Sequence, residues 1–188
     1  IYNPKTQTTI FQKNANKFFI PASNTKILTL SACLDNLGDS IPAIKYIENA
    51  DSILFWGLGD PTFLNPNFAQ TPTLDFIKKH KVIHFSDANN LAVSIGKGWS
   101  WDDFNDDYFT EINALPMYGN LIAIKKTNQG IVTEPAYFSR YFVNDGTQKD
   151  ILRDRTSNQF HYNFNSIYKD GFEQSLPMVT SAQKNQEL

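Results

Sequence analysis

The 188 residues are 41% hydrophobic and 14% aromatic, enough to bury a sizeable core in one or two domains and too apolar for a disordered chain. A formal net charge of -2, with Lys78-Lys79-Lys81 and Lys125-Lys126 as the notable basic groupings, gives no nucleic-acid footprint. No apolar run is long enough to span a membrane, and Cys33, alone in the sequence, excludes an internal disulfide without fixing the compartment.

In chain order, Tyr2 to Lys5 and Thr8 to Phe11 read as a short hairpin ahead of the Asn14-Ala15-Asn16 loop. Pro21 suits the residues just before a helix, and Ser23 or Asn24 can cap its first turn. Beyond Lys26 the residues Ile27, Leu30, Leu34 and Leu37 recur at helical spacing until Gly38 supplies a stop, so a helix with a buried apolar face is expected. Ile41 to Tyr46 is read as a second, shorter helix, and Ile53 to Trp56 as a buried strand ended by Gly57-Leu58-Gly59-Asp60-Pro61. That glycine stretch has no lysine, and its proline obstructs a helix start, so it is a turn rather than a phosphate loop.

Leu74 to His80 is expected as a helix, with Val82 to Phe85 and Leu91 to Ile95 as strands in a βα-type layer. From Leu121 the pattern is mostly β, with Leu121 to Ile124, Ile131 to Thr133, Tyr137 to Val143 and Gln159 to Phe164 as strands of a small antiparallel sheet. The end, Ser181 to Leu188, is polar and expected to be loose. The aspartates between Gly96 and Tyr108 fail as a calcium loop, since Tyr108 stands where an EF-hand needs glycine and Ala114 where it needs glutamate. His80, His84 and His161 have no metal-ligand spacing, so no metal is expected. A Ser-His-Asp triad assembled from distant positions stays open.

The chemistry-bearing stretch is Ser23-Asn24-Thr25-Lys26. Residues three apart share a helix face, which brings a lysine nitrogen within reach of the serine hydroxyl. A serine is a weak nucleophile until a neighbouring base takes its proton, and an amine does so only when uncharged. Burial and the positive end of the helix dipole both favour the uncharged amine. The plainer reading is a serine cap with a solvent-facing lysine. With 12 serines and 14 lysines, chance gives about one S-x-x-K match, and the chain has four, at Ser23, Ser94, Ser166 and Ser181. Ser23 alone opens an apolar helix.

The words Ile20-Pro21-Ala22-Ser23-Asn24-Thr25-Lys26 resemble the active-site motif of penicillin-binding proteins, and more narrowly of the D-alanyl-D-alanine carboxypeptidase/endopeptidase family, whose members often read P-A-S-x-T-K. Gly57 to Thr62, Gly98 to Asp103 and Met117 to Asn120 agree with the family in order. The similarity covers nearly the whole chain but only the N-terminal portion of a typical member. It implies an acylated serine at Ser23, a base at Lys26, no cofactor, peptidoglycan stem peptides and beta-lactams as partners, and a periplasmic or extracellular location. The chain begins at Ile1 rather than at a methionine, so its lack of a signal peptide carries no information.

The sequence departs from the family by lacking its S-x-N and K-T-G motifs. Lys169-Asp170-Gly171 imitates the second poorly, with an acid in place of a hydroxyl, and reads as a turn. Tyr118-Gly119-Asn120 matches a Y-x-N variant but lies where the family enters an ordinary strand, and is read as structural. The expectation is therefore an α+β chain, the serine-helix part of a beta-lactamase/transpeptidase-like fold with an inserted β-rich subdomain. Its segments would be a hairpin and dyad helix over 1–50, an α/β segment over 51–110, a β-rich subdomain over 111–180 and a tail over 181–188. The parent would be a serine-type D-Ala-D-Ala carboxypeptidase or endopeptidase, with this chain alone inactive. A non-catalytic wall-binding scaffold of the same fold and another Ser-Lys acyl hydrolase stay open as alternatives.

Overall fold

The computed structural model describes all residues except 70, 71, 91, 92, 147, 168–170, 182, 183 and 185–188. The chain divides into two compact units, Ile1–Ile41 and Pro42–Leu188.

In the first unit, β1 (Tyr2–Asn3) and β2 (Thr8–Thr9) pair antiparallel, with Tyr2 opposite Thr9. The Asn3 side chain holds the turn by accepting the Lys5 N–H at 3.0 Å. After a 3-10 turn over Ala22–Asn24, α1 runs from Thr25 to Leu37 and stops at Gly38, whose φ of 72° is a left-handed conformation suited to glycine. The extent of α1 agrees with the periodicity, but its expected burial does not. None of its residues is buried, and Ile27, Leu30 and Leu34 are 67%, 59% and 52% exposed. Cys33 is exposed as well. A unit of 41 residues has too little apolar surface to cover a three-turn helix.

The second unit begins with a three-stranded sheet ordered β3-β4-β5. β3 (Ile44–Asn49) pairs antiparallel with β4 (Ser52–Gly57), and β5 (Val82–Phe85) lies parallel to β4 after the crossover helix α2 (Pro72–Ile77). The β-α-β layer is thus as expected, except that Ile41 to Tyr46 is not a helix. Ile44, Tyr46 and the β-branched Ile47 gain a full ladder against β4, with Ile44 opposite Gly57 and Asn49 opposite Ser52. Ile53, Phe55, Phe63, Ile77, Leu115 and Met117 form the core beneath. The strand expected over Leu91 to Ile95 is absent at 93–95, and Leu91 and Ala92 lie outside the described residues.

Two further sheets replace the single antiparallel one. The first orders β6 (Leu121–Thr127) between β7 (Gly130–Glu134) and β11 (Glu173–Pro177), all antiparallel. The second orders β10 (Phe160–Tyr162) between β8 (Phe142–Asn144) and β9 (Leu152–Arg153), with β8 and β10 parallel. Tyr137 to Tyr141, read as strand, belongs to a 3-10 helix over Ala136–Tyr141. Tyr137 and Tyr141, one turn apart there, bond hydroxyl to hydroxyl at 2.8 Å, and Phe138 is fully buried. The core joining these sheets holds Ile122, Ile124, Phe138, Ile151, Phe160, Ile167, Leu176 and Met178.

Gly57 shows how tightly β4 is seated. A Cβ there would lie 2.2 Å from the Ala114 carbonyl oxygen, while Gly59 donates its N–H to that same oxygen at 2.7 Å. The obstacle is backbone, so it cannot rotate away. Gly57→Ala should cost about 1–3 kcal/mol by overpacking, a fall in melting midpoint of roughly 2–12 °C for a chain this size. A thermal scan showing no fall would mean that residue 114 moves freely.

Candidate active site

Pro21 has helical torsions, φ -68° and ψ -22°, and could start the helix by itself. Ala22 prevents this by adopting φ +44°, left-handed for a residue with a Cβ and costly by about 1–2 kcal/mol. The turn closes with the Asn24 N–H on the Pro21 carbonyl at 2.9 Å, and Ser23 enters the first turn ahead of α1. Neither Ser23 nor Asn24 caps the helix, because no side-chain cap bond forms at the start of the 3-10 turn or of α1. That corrects the expected capping role.

Ser23 and Lys26 are thus brought to one helix end, three residues apart, and both are exposed. Among the described residues no hydrogen bond joins them, contrary to the contact expected from spacing alone. The physical reason is exposure. Nothing within Ile1–Ile41 buries α1, so water solvates the lysine head as well as a hydroxyl would.

The other S-x-x-K pairs have other structures. Ser94 lies outside any helix or strand, with its carbonyl accepting the Ile112 N–H at 2.8 Å, and Lys169 lies outside the described residues. Ser181 accepts the backbone N–H of Lys184 at 3.1 Å, while the Lys184 Nζ donates to the Tyr137 and Tyr141 hydroxyls at 2.8 and 3.3 Å. Bonding from Tyr137, then from Lys184, holds the Tyr141 hydroxyl below the ordinary phenol value.

The remaining stretches singled out in the sequence hold the second unit together. Asp60 is buried and its carboxylate accepts from the Thr62 N–H at 2.9 Å and hydroxyl at 2.7 Å, closing the turn after β4. Asn120, buried with φ 56°, donates to the Glu111 carbonyl at 2.8 Å, and its own carbonyl receives the Met178 N–H at 2.9 Å. Through Asn120 the Tyr118-Gly119-Asn120 stretch thus ties Glu111 to Met178. In the Gly98 to Asp103 stretch, Ser100 caps a 3-10 turn over Trp101–Asp103, and Trp99 packs edge-on to buried Phe109 with ring centres 5.3 Å apart. This loop is tied to β9 through Asn105, which accepts the Arg153 N–H at 2.8 Å. Buried Arg153 in turn donates to the Phe104 carbonyl at 3.3 Å. Burial lowers the guanidinium pKa, opposed by Glu111 and Asp154.

Sequence reading missed the surroundings of two histidines. His161 stands between Asp145 at 3.1 Å and Asp154 at 3.3 Å, and His80 meets Glu48 at 2.7 Å. These pairs join residues 16, 7 and 32 apart, a separation without local signal. Neither histidine bonds a serine among the described residues, and there no three His, Cys, Asp or Glu side chains are grouped to hold a metal ion. No helix among them is long and apolar enough to cross a membrane.

No curated protein matches the chain at a significant level. Among solved structures, penicillin binding protein 4 (dacB) from Haemophilus influenzae shares the fold, with a TM-score of 0.61 and 19% identity, over 95% of this chain and 46% of that one. This chain accordingly spans less than half the length of that relative. The α+β architecture agrees with the expectation, and the D-Ala-D-Ala carboxypeptidase 3 (S13) family profile matches residues 1–164. By that match, which takes in the Ser23–Lys26 turn and every described strand except β11, the chain belongs to the D-Ala-D-Ala carboxypeptidase 3 (S13) family.

Proposed function

We propose that this chain carries the nucleophile end of a serine-type D-Ala-D-Ala carboxypeptidase or endopeptidase that acts on peptidoglycan stem peptides outside the cytoplasm. The observation that supports it best is Ser23 and Lys26, one turn apart at an uncapped helix start in a chain of a peptidase family. In this reading the Ser23 Oγ attacks the carbonyl carbon of the D-Ala-D-Ala bond while its proton passes to the uncharged Lys26 Nζ. The C–N bond breaks, the terminal D-Ala leaves with that proton on its amine, and water hydrolyses the ester to free the peptide and restore Ser23. A beta-lactam would stop at the ester. The absence of a hydrogen bond between Ser23 and Lys26 among the described residues fits an unliganded site, where catalytic hydrogen bonds commonly tighten only with substrate.

The exposure of Ser23 and Lys26, with no hydrogen bond between them among the described residues, supports a second reading, a wall-binding scaffold that keeps the fold without the chemistry. D-Ala release from a D-Ala-D-Ala peptide separates the two, measured for the natural full-length protein, its Ser23→Ala variant and the 188-residue chain. The peptidase reading expects release from the first alone. In this reading the family's K-T-G strand, whose motif does not occur in these 188 residues, would hold the substrate and supply an oxyanion donor, and one such donor is worth on the order of 100-fold to 1,000-fold in rate. Equal release by the parent and Ser23→Ala would remove Ser23 from the chemistry.

A further inference from the structure

We infer that the left-handed turn at Ala22 is a positioning device for Ser23, an inference that rests on Ser23 being the nucleophile. The conformation is unusual for its residue and its place. Gln7, Ala50, Leu64 and Tyr118 also have positive φ, Gln7 and Ala50 in hairpin turns where such torsions are routine, Leu64 in the turn that follows Asp60 and Tyr118 in the Tyr118–Asn120 turn, none of them leading into an α-helix. Asn14 and Asn120 are asparagines, which tolerate the region. Ala22 has neither excuse, since it leads into a helix, where right-handed torsions are the norm, and its side chain has no polar atom to compensate.

Pro21 precedes it at φ -68°, and the Asn24 N–H to Pro21 carbonyl bond makes Ala22 the second residue of a closed turn. That position with φ above zero is ordinarily given to Gly, Asn or Asp. The reversal makes Ala22 the first residue of the helical run, so that Ser23 lies in the 3-10 turn that runs directly into α1, exposed, with no cap bond engaging its hydroxyl. Strained backbone that survives only because its surroundings enforce it concentrates at functional sites. Here it adjoins the one S-x-x-K serine that opens a long helix.

The test compares Ala22→Asn with Ala22→Thr in the natural full-length protein. The two side chains are nearly equal in size, but asparagine tolerates the left-handed region and β-branched threonine does not. The readout is acylation by a fluorescent penicillin, with the limiting rate separated from the half-saturating concentration. Ala22→Asn and Ala22→Gly should stay within about threefold of the parent, whereas Ala22→Thr should lower the limiting rate by roughly 10-fold to 100-fold, the scale of a misplaced reacting atom. Half-saturation should change by less than about twofold, because the substrate contacts are untouched. Ala22→Gln, unbranched but less tolerant than asparagine, should fall between and carries the test if the threonine variant does not fold. Equal rates for Asn and Thr, a loss for Gly matching that for Thr, or an effect confined to half-saturation would overturn the inference. A parent that is not acylated on Ser23 would overturn the nucleophile reading itself, visible before any Ala22 variant is compared.

Discussion

Replacing Lys26 with alanine in the natural full-length protein should slow acylation by roughly 100-fold to 10,000-fold, the range over which a positioned general base ordinarily contributes. The size of the effect follows from the chemistry of Ser23, whose hydroxyl is a weak nucleophile while it keeps its proton. Lys26 follows by three residues, across the junction between the 3-10 turn and α1, so it is the candidate base nearest to Ser23 along the chain. Folding should not suffer. Lys26 is exposed and makes no ion pair or hydrogen bond among the described residues, and exposed substitutions away from such partners usually fall within about 0.5 kcal/mol. A stopped-flow trace at the parental rate, from a variant with unchanged unfolding, would assign the base elsewhere.

The largest effect on stability should come from Phe160. It is fully buried in β10, stacks on Phe142 of β8 with ring centres 4.7 Å apart and planes 11° from parallel, and meets Phe138 edge-on at 6.4 Å. Phe160 and Phe142 are also direct partners in the parallel ladder, so the same pair closes both the sheet and its core. Phe160→Ala should therefore cost about 3–5 kcal/mol through lost transfer energy and the cavity left behind. Denaturant unfolding gives the number, and a loss below about 1 kcal/mol would mean that the neighbouring rings collapse into the space.

What could be read from the sequence follows the range of the forces involved. The end of α1 was legible because Leu34, Leu37 and Gly38 carry a local pattern, and so was β4, whose run Ile53 to Trp56 is apolar throughout. The fate of the helix face was not, because periodicity says which residues would face a partner and not whether 41 residues can provide one. Ile41 to Tyr46 was misread since its spacing fits helix and strand alike, and the deciding ladder comes from residues 52–57. β9 has two residues, and β11 reads Glu-Gln-Ser-Leu-Pro, so neither carries an apolar alternation, and pairing with β10 and β6 makes them strands. Tyr137 to Tyr141 was misread because aromatic residues favour strands, whereas Pro135 and the Tyr137–Tyr141 hydroxyl bond suit a helical turn.

The candidate site divides the same way. Ser23 and Lys26 were found by type and spacing, which are local. Their hydrogen bond was over-read, because it needs burial that the spacing does not provide. The left-handed Ala22 was not visible at all, since alanine carries no preference for that region. Asp60 and Asn120 lay in recognised stretches, yet their roles depend on Thr62, Glu111 and Met178.

The most direct test is where a beta-lactam attaches. The natural full-length protein, incubated with a labelled penicillin, digested and mapped by mass, should show one covalent acyl group on the peptide that contains Ser23, with none in a Ser23→Ala variant that unfolds like the parent. An acyl group on any other serine, or an adduct that persists in Ser23→Ala, would contradict the assignment of Ser23 as the nucleophile.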